Sequence, residues 1–251
     1  MMMPKKFLFA DLDDTLFQSK RKCPDGAALA PAAYLKDGTA HSFLTPGQQS
    51  VLQLFQQEMV VIPVTARNAD AYSRVQLGFQ HEAVVNFGGI ILNKDGKPDG
   101  EWLNRSKNLA CSSESILEEI RESIIRFASS TGLSIRARII SDFGIPFYVS
   151  AKSEEGDEAA IDQIEAMTLA ILDVSDANVS SHRNGNNLAV LPDWLDKRHA
   201  VAYLAKKLRD THGEIVTFGM GDSLSDIGFM ADCDYALVPQ ASQINRQMRG
   251  L

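Results

Sequence analysis

The sequence predicts an α/β fold with a Rossmann-like parallel sheet, on the basis of two observations. Short apolar runs at residues 7–10 and 215–218 are typical of strands buried on both faces, and each leads directly into an acidic loop. Strand-like and helix-like segments also alternate after the first run, which is the pattern of right-handed parallel crossovers. Since parallel strands end at a shared edge, we expect the two acidic loops to meet there.

The elements of the parallel-sheet domain are predicted in chain order. After the strand at 7–10, residues 17–44 are expected to form an irregular flap, because proline and glycine interrupt them repeatedly. Thr45 followed by Pro46 predicts the start of a helix, with Thr45 as the N-cap. The remaining predicted elements are a strand at 59–64, a short helix at 69–77, strands at 83–85, 215–218 and 235–238, and a helix at 196–209.

Residues 92–191 are expected to form an inserted α+β domain, which leaves 1–91 and 192–251 as the core domain. Within the insertion, Lys94 to Lys97 predicts a hairpin turn between strands at 90–92 and 101–103. The amphipathic and alternating patterns that follow predict helices at 113–129 and 155–172 and antiparallel strands at 134–141, 146–151, 178–182 and 187–191.

The composition argues against nucleic acid or a membrane as a partner. The net charge is −7, and the chain has no basic stripe with interleaved aromatic residues. The three cysteines are odd in number and show no CxxC spacing, so neither a disulfide framework nor a zinc site is indicated. No apolar run has the length of a signal-peptide core or a membrane span. We expect a cytoplasmic protein, whose oligomeric state the sequence does not specify.

Four carboxylates follow the two buried runs and predict a magnesium site that handles phosphate. Asp11 and Asp13 follow the first run, and Asp222 and Asp226 follow the second. Carboxylates gathered at one sheet edge repel one another unless a cation lies between them, and Mg²⁺ takes oxygen ligands. A carboxylate can attack phosphorus, and a second one can serve as general acid and base. An acidic turn or a helix N-cap is the alternative for each pair taken alone.

Three further side chains are candidates for contacts with phosphate. Thr65 ends the second predicted strand, Arg67 follows it, and Lys197 begins the helix after the insertion. A plain N-cap is the alternative for Thr65, and a surface position is the alternative for Lys197. A phosphate site built from carboxylates needs a fixed cation besides the metal, which favours Lys197.

These motifs, in this order, resemble those of the haloacid dehalogenase (HAD) superfamily, and specifically its phosphatases with a type IIB cap, such as the Cof-like and sucrose-phosphate phosphatase groups. The resemblance covers nearly the whole chain, with the cap at 92–191. It implies that Asp11 is the nucleophile and Asp13 the general acid and base. It also implies that Thr65 and Lys197 hold the phosphoryl group. The metal ligands that it implies are Asp11, the backbone carbonyl of Asp13, Asp222 and Asp226.

One position departs from the pattern of this family. Ser225 stands where the last motif usually has asparagine, so its contact with phosphate rests on a shorter side chain. The segment 17–44 is also longer than this family leads us to expect.

The function predicted from the sequence is a Mg²⁺-dependent phosphatase for a small phosphorylated metabolite, with a sugar phosphate as the expected substrate class. The alternatives are a phosphomutase of the same fold and a HAD-like binding module without activity. Specificity is expected from the cap and the flap, including residues 181–184 and Lys36.

Overall fold

The computed structural model describes residues 3–175 and 178–250, and the side chains of 172–175 are left out of the description. The strands, in chain order, are β1 (Lys5–Ala10), β2 (Gln18–Ser19), β3 (Ala30–Tyr34), β4 (Ala40–Leu44), β5 (Val60–Pro63), β6 (Ala83–Val85), β7 (Ile90–Leu92), β8 (Ile135–Asp142), β9 (Ile145–Ser153), β10 (Val179–Asn184), β11 (Asn187–Pro192), β12 (Ile215–Met220) and β13 (Tyr235–Leu237). The helices are α1 (Pro46–Glu58), α2 (Ala69–Tyr72), α3 (Gly100–Ala110), α4 (Glu114–Thr131), α5 (Glu158–Ser175), α6 (Lys197–His212), α7 (Ile227–Ala231) and α8 (Gln243–Met248).

A parallel sheet of four strands carries the two acidic loops on neighbouring strands. Its order is β13-β12-β1-β5, and every pair in it is parallel. The register pairs Phe7 with Thr217 and Ala10 with Met220, so β1 and β12 end side by side. The loops after these strands therefore begin at the same edge, as the sequence predicted.

The core lies on both faces of this sheet because β1 and β5 are apolar at successive positions. Phe7 and Phe9 pack on one face with buried residues of α6, such as Leu204. Leu8 and Ala10 pack on the other face with a second buried cluster. Alternation along a strand sends neighbouring side chains to opposite faces, so a strand that is apolar throughout is covered on both sides.

The strand predicted at 83–85 is present, but its pairing is mixed. A single parallel bridge between Val64 and Val84 joins β6 to the end of β5. Along its whole length β6 pairs antiparallel with β7. The chain thus reverses direction at residues 86–89 instead of entering a further crossover.

The prediction that residues 17–44 are irregular was wrong. Strands β2, β4 and β3 form a three-stranded antiparallel sheet in this segment. A turn closed by the N–H of Gly38, which donates to the carbonyl of Leu35 at 3.1 Å, joins β3 to β4. Ala32 and Ala33 are buried in the cluster that contains Leu8. Alanine and proline have low strand propensity, so burial in tertiary contacts decides the structure of this segment.

The prediction of a strand at 101–103 was also wrong, because these residues lie in helix α3. The turn is present, since the side chain of Asn93 accepts the N–H groups of Asp95 and Lys97. It leads to Asp99, whose side chain accepts the N–H of Trp102 at 3.0 Å as a helix N-cap does. Only a single bridge, from Leu92 to Pro98, remains of the predicted hairpin.

The chain divides into two compact units. One comprises residues up to Leu103 and from Asp196 onward, and the other comprises Asn104–Leu195. The domain division at 92 and 191 stays a prediction. In the second unit, an antiparallel sheet in the order β10-β11-β9-β8 is covered on one face by α4 and α5, and the buried residues between them include Leu117, Ile161 and Val190. None of the helices in the described ranges has the length and apolar character that crossing a lipid bilayer requires.

Candidate active site

Asp11 is the first residue after β1 and lies at the carboxyl edge of the parallel sheet. Its N–H donates to the carbonyl of Met220 at 2.8 Å, which extends the pairing of β1 with β12 by one residue. Its carboxylate accepts a hydrogen bond from the ammonium of Lys197, with 2.7 Å between Oδ1 and Nζ. Asp11 is 6% exposed, so this ion pair is shielded from solvent.

Lys197 is the first residue of α6 and is held against Asp11 by the local backbone. The side chain of Asp196 caps the helix by accepting the N–H of Arg198 at 2.7 Å. The loop after β6 packs tightly here, because a Cβ on Gly88 would lie 2.5 Å from the carbonyl oxygen of Asp196. Only glycine suits this position, since it has no Cβ and the backbone φ here is +96°.

Asp226 accepts hydrogen bonds on both carboxylate oxygens. The Nζ of Lys197 donates to its Oδ1 at 2.6 Å, and the N–H and Oγ of Ser223 donate to its Oδ2 at 3.0 and 2.7 Å. The side chain of Asp226 packs directly on Gly221, where a Cβ would lie 2.4 Å from the Cβ of Asp226. The glycine of this loop is therefore required by the position of the carboxylate.

Asp222 completes the cluster from the same loop. Its Oδ1 accepts a hydrogen bond of 3.2 Å from the hydroxyl of Thr15, which belongs to the first acidic loop. The structure thus links the two loops directly. Asp11, Asp222 and Asp226 are all buried, and each offers a carboxylate oxygen within 4.8 Å of the others.

The charges of this cluster are not balanced by the protein alone. Burial raises the pKa of Asp11 well above its ordinary range, and the neighbouring Asp226 and Asp222 raise it further against the opposing effect of Lys197. Burial and the charge of Asp226 raise the pKa of Asp222 to about 7. Burial alone would lower the pKa of Lys197, but the carboxylates of Asp11 and Asp226 outweigh it and raise that pKa. One ammonium among three carboxylates leaves a demand for further positive charge.

The three carboxylates fit a divalent cation such as Mg²⁺. They offer hard oxygen ligands that converge from two loops. A cation among them would also lower the pKa values that mutual repulsion and burial raise. Asp11, Asp222 and Asp226 are thus the residues that would hold the ion.

The carboxylate of Asp13 lies apart from this cluster. It is bound by Arg67, whose Nε and Nη2 each donate to one of its oxygens at 2.7 Å. The guanidinium of Arg67 also lies over the ring of Phe17 at 5.1 Å and donates to the hydroxyl of Ser42 at 3.4 Å. A planar guanidinium with two parallel hydrogen bonds fixes the orientation of its carboxylate. Arg67 therefore fixes the orientation of the Asp13 carboxylate.

The two candidate hydroxyls have different surroundings. Thr65 is buried at the end of β5, and its Oγ1 accepts the N–H of Arg67 at 3.1 Å. No hydrogen bond among the described residues joins Thr65 to the three carboxylates. The Oγ of Ser225 lies 2.8 Å from the Oγ of Ser223, which in turn binds Asp226. Ser225 is thus linked to the cluster through one intervening hydroxyl.

The side chains proposed for specificity at 183 and 36 have protein partners. Arg183 binds Asp162 and, at 3.3 Å, Glu165. Lys36 lies 3.3 Å from Asp70. Arg183 and Lys36 are therefore both paired with acidic side chains of the protein, so neither requires a ligand to balance its charge.

Sequence reasoning missed three residues around the site. Ser223 holds Asp226, and the capping-box spacing of serine and aspartate three residues apart was the signal that could have found it. Ser42 contacts Arg67, and Lys22 lies 2.5 Å from the carboxylate of Asp14. The last two come from the segment predicted as irregular, so no periodic signal placed them near the site.

No family model and no curated protein matches the chain. Solved structures do match over nearly its whole length. The C-terminal domain of Candida albicans trehalose-6-phosphate phosphatase is 13% identical, with a TM-score of 0.60 over 98% of this chain and 77% of that one. IMP-bound Plasmodium falciparum IMP-nucleotidase is 13% identical, with a TM-score of 0.58 over 98% of this chain and 67% of that one.

A third similar structure is the sucrose-phosphatase of Synechocystis in complex with sucrose and phosphate. It is 16% identical, with a TM-score of 0.51 over 99% of this chain and 97% of that one. At these identities the similarity concerns the fold. The chain therefore shares the fold of these three enzymes, which confirms the predicted α/β class with a parallel sheet.

Proposed function

We propose that this protein is a Mg²⁺-dependent phosphatase that hydrolyses a small phosphorylated metabolite through a phosphorylated Asp11. The observation that carries the proposal is the buried cluster in which Lys197 bridges Asp11 and Asp226, with Asp222 beside them. A structural ion pair alone would not need three buried carboxylates for one ammonium, since burying excess charge is costly.

Asp11 is the nucleophile in this proposal. One of its carboxylate oxygens forms a bond to phosphorus while the bond from phosphorus to the leaving oxygen of the substrate breaks. Lys197 orients the carboxylate through its 2.7 Å hydrogen bond and places a fixed positive charge beside the transferring group. Asp11, Asp222 and Asp226 would hold Mg²⁺, which would neutralise the negative charge of the transferring phosphoryl group. Thr65 is assigned to the same phosphoryl group as a hydrogen-bond donor.

Asp13 is the general acid and base. It gives a proton to the leaving oxygen, and its carboxylate then takes a proton from the water that attacks the phosphorylated Asp11. Arg67 holds both oxygens of Asp13, so we assign Arg67 to positioning this carboxylate. A phosphate contact by Arg67 remains a prediction from the sequence, as does a contact by Ser225.

A sugar phosphate is the substrate class that we infer. Two of the similar structures are a trehalose-6-phosphate phosphatase and a sucrose-phosphatase, and the second holds sucrose and phosphate. A nucleotidase has the same fold, so a nucleotide is the competing substrate class. A cytoplasmic location remains an expectation from the three free cysteines.

The experiment is release of inorganic phosphate from panels of sugar phosphates and nucleotides, with Mg²⁺ and with a chelator. We expect the wild type to release phosphate only with Mg²⁺. Asp11→Asn should abolish release, whereas Asp37→Asn, which alters an exposed aspartate of the β3–β4 turn, should leave it unchanged. Equal release by wild type and Asp11→Asn would contradict the proposal, and so would release that is insensitive to chelation.

A further inference from the structure

A group of cations lies on one face of the sheet in the second unit. Across the antiparallel pair of β8 and β9, Arg136 faces Lys152 and Arg138 faces Ser150. Helices α4 and α5 pack on the opposite face, where the intervening residues Ala137 and Ile139 point. The three cations are exposed on the face that these helices leave open.

These cations have no counter-ion, although the chain is acidic overall. Other cations of this unit form ion pairs with a glutamate or an aspartate, among them Arg121, Arg126 and Arg183. Arg136, Arg138 and Lys152 form no ion pair with any residue that the structure describes. Like charges directly opposite each other on neighbouring strands destabilise a sheet. The pair of Arg136 and Lys152 therefore carries an uncompensated cost.

Asn187, a neutral side chain next to the cations, can also donate a hydrogen bond to a ligand. Asn187 lies opposite Lys152 on β11, the next strand of the sheet. Its Oδ1 accepts a hydrogen bond of 3.0 Å from the hydroxyl of Ser150. With the oxygen occupied, the amide nitrogen of Asn187 is the part left to bind a ligand, and nitrogen is a donor. We call Arg136, Arg138, Lys152 and Asn187 the cationic cluster.

The dimensions of the cationic cluster define the size of its ligand. Neighbouring strands lie about 4.8 Å apart, and residues two positions apart on one strand are separated by about 6.6 Å. The cluster is therefore as wide as one phosphate or carboxylate with its first hydrogen-bond partners. Three cations neutralise few phosphates and the chain carries a net charge of −7, so the cluster does not favour a nucleic acid backbone as its ligand.

We propose that the cationic cluster is a binding site for the phosphate or carboxylate group of a small molecule. It is separate from the acidic cluster, with which it shares no residue. Arginine and lysine provide charge-assisted donors, and guanidinium groups match the geometry of both anions. The anion can belong to the substrate, as a second charged group, or to a separate small ligand.

Direct binding tests the site without reference to catalysis. Inorganic phosphate is titrated into isotopically labelled protein in the presence of a chelator, at constant ionic strength, and backbone amide shifts are followed by NMR. We expect saturable shifts at the amides of 136–138 and 150–152. Absence of saturable shifts on these strands would overturn the proposal.

Substitutions connect those shifts to the proposed side chains. The double variant Arg138→Gln/Lys152→Gln should weaken phosphate binding at β8 and β9 by about tenfold or more. Arg126→Gln is the matched control, since Arg126 is exposed on α4 and paired with Glu122, and it should bind phosphate as the wild type does. An unchanged affinity in the double variant would overturn the proposal.

A stability measurement distinguishes loss of phosphate binding from loss of the fold. Lys152→Gln removes the repulsion with Arg136, so in phosphate-free buffer its Tm should equal or exceed that of the wild type. A variant that keeps this Tm and loses phosphate binding supports the site. A lower Tm would contradict the uncompensated repulsion on which the proposal depends.

Kinetics then identify the source of the anion. Wild type and double variant are compared on fructose 6-phosphate and fructose 1,6-bisphosphate, which differ by one phosphate. A fall in kcat/KM confined to the bisphosphate assigns the cationic cluster to the substrate. Equal effects on the two sugars, together with lost phosphate binding, assign it to a separate ligand. Failure of the wild type to hydrolyse any phosphate ester in the full panel would contradict the proposed function and leave the NMR result standing.

Discussion

Lys197 is the side chain whose removal should damage the acidic cluster most. It is 3% exposed and binds both Asp11 and Asp226, so Lys197→Met leaves two buried carboxylates without their cation. Breaking a buried ion pair from one side costs about 3–5 kcal/mol. We expect a fall of that order in the free energy of unfolding, measured with urea in metal-free buffer, and loss of phosphate release.

A lysine on the outer face of the same helix is the control for this prediction. Lys206→Met alters an exposed residue of α6, and the free energy of unfolding should change by less than about 0.5 kcal/mol. If Lys197→Met unfolds at the same urea concentration as the Lys206 variant, the buried bridge is not stabilising and our account of the cluster fails.

Gly221 and Gly228 offer a paired test of packing around Asp226. A Cβ on Gly221 would lie 2.4 Å from the Cβ of Asp226, whereas one on Gly228 would lie 3.4 Å from the nearest atom, in the side chain of Arg198. Gly221→Ala should therefore cost about 1–3 kcal/mol from overpacking. Gly228→Ala lies within α7 and should be neutral or stabilising by up to about 1 kcal/mol. Thermal unfolding of both variants tests this prediction, and a higher Tm for Gly221→Ala than for Gly228→Ala would contradict it.

The sequence predicted the spatial neighbours of some site residues but not of others. Asp11, Asp222 and Asp226 could be predicted together because each follows a buried apolar run, and parallel strands bring such positions to one edge. The partner of Asp13 could not be predicted this way. Its contact with Arg67 depends on side-chain orientation in loops, which periodicity does not specify.

Helix α1 shows how a local signal in the sequence determines an element. Thr45 and Gln48 form a capping box, in which the Oγ1 of Thr45 accepts the N–H of Gln48 and the side chain of Gln48 accepts the N–H of Thr45. Thr45→Ala removes one side of it and should cost about 1 kcal/mol. Ser50→Ala, at an exposed position within the helix, should not destabilise the protein. Chemical denaturation of both variants tests the prediction, which an unchanged Thr45 variant would contradict.

The elements that the sequence misassigned are those in which tertiary contacts override local preference. Strand β3 consists largely of alanine and proline, and it is a strand because Ala32 and Ala33 are buried against the core. Helix α3 begins where a hairpin was expected, because Asp99 caps it and the indole N–H of Trp102 donates to the carbonyl of Gly88 at 2.9 Å. Longer periodic helices, such as α4 and α6, were predicted to within a few residues.

At the scale of the molecule, charge is distributed unevenly between the two units. The core unit buries an excess of carboxylates around Lys197, while the second unit exposes cations that no described acidic group neutralises. Each imbalance calls for a ligand of opposite sign, since an uncompensated charge lowers stability where it is buried or faces a like charge. The ligands that we propose are a divalent cation for the acidic cluster and an anion for the cationic cluster.

The demand of the acidic cluster for a cation predicts how stability depends on pH and on Mg²⁺. The pKa of Asp222 is raised to about 7 in the folded protein, above its ordinary value. In metal-free protein this group therefore favours folding at low pH, and its contribution is lost as the pH rises through about 7. Mg²⁺ binds the ionised form, so its stabilising effect should be small near pH 5.5 and larger near pH 8.

The measurement that tests this dependence is the Tm of the protein with Mg²⁺ or with a chelator at both pH values. Asp222→Asn should abolish the increase with pH, and an equal Mg²⁺ effect at both pH values in the wild type would contradict a metal site built on this carboxylate.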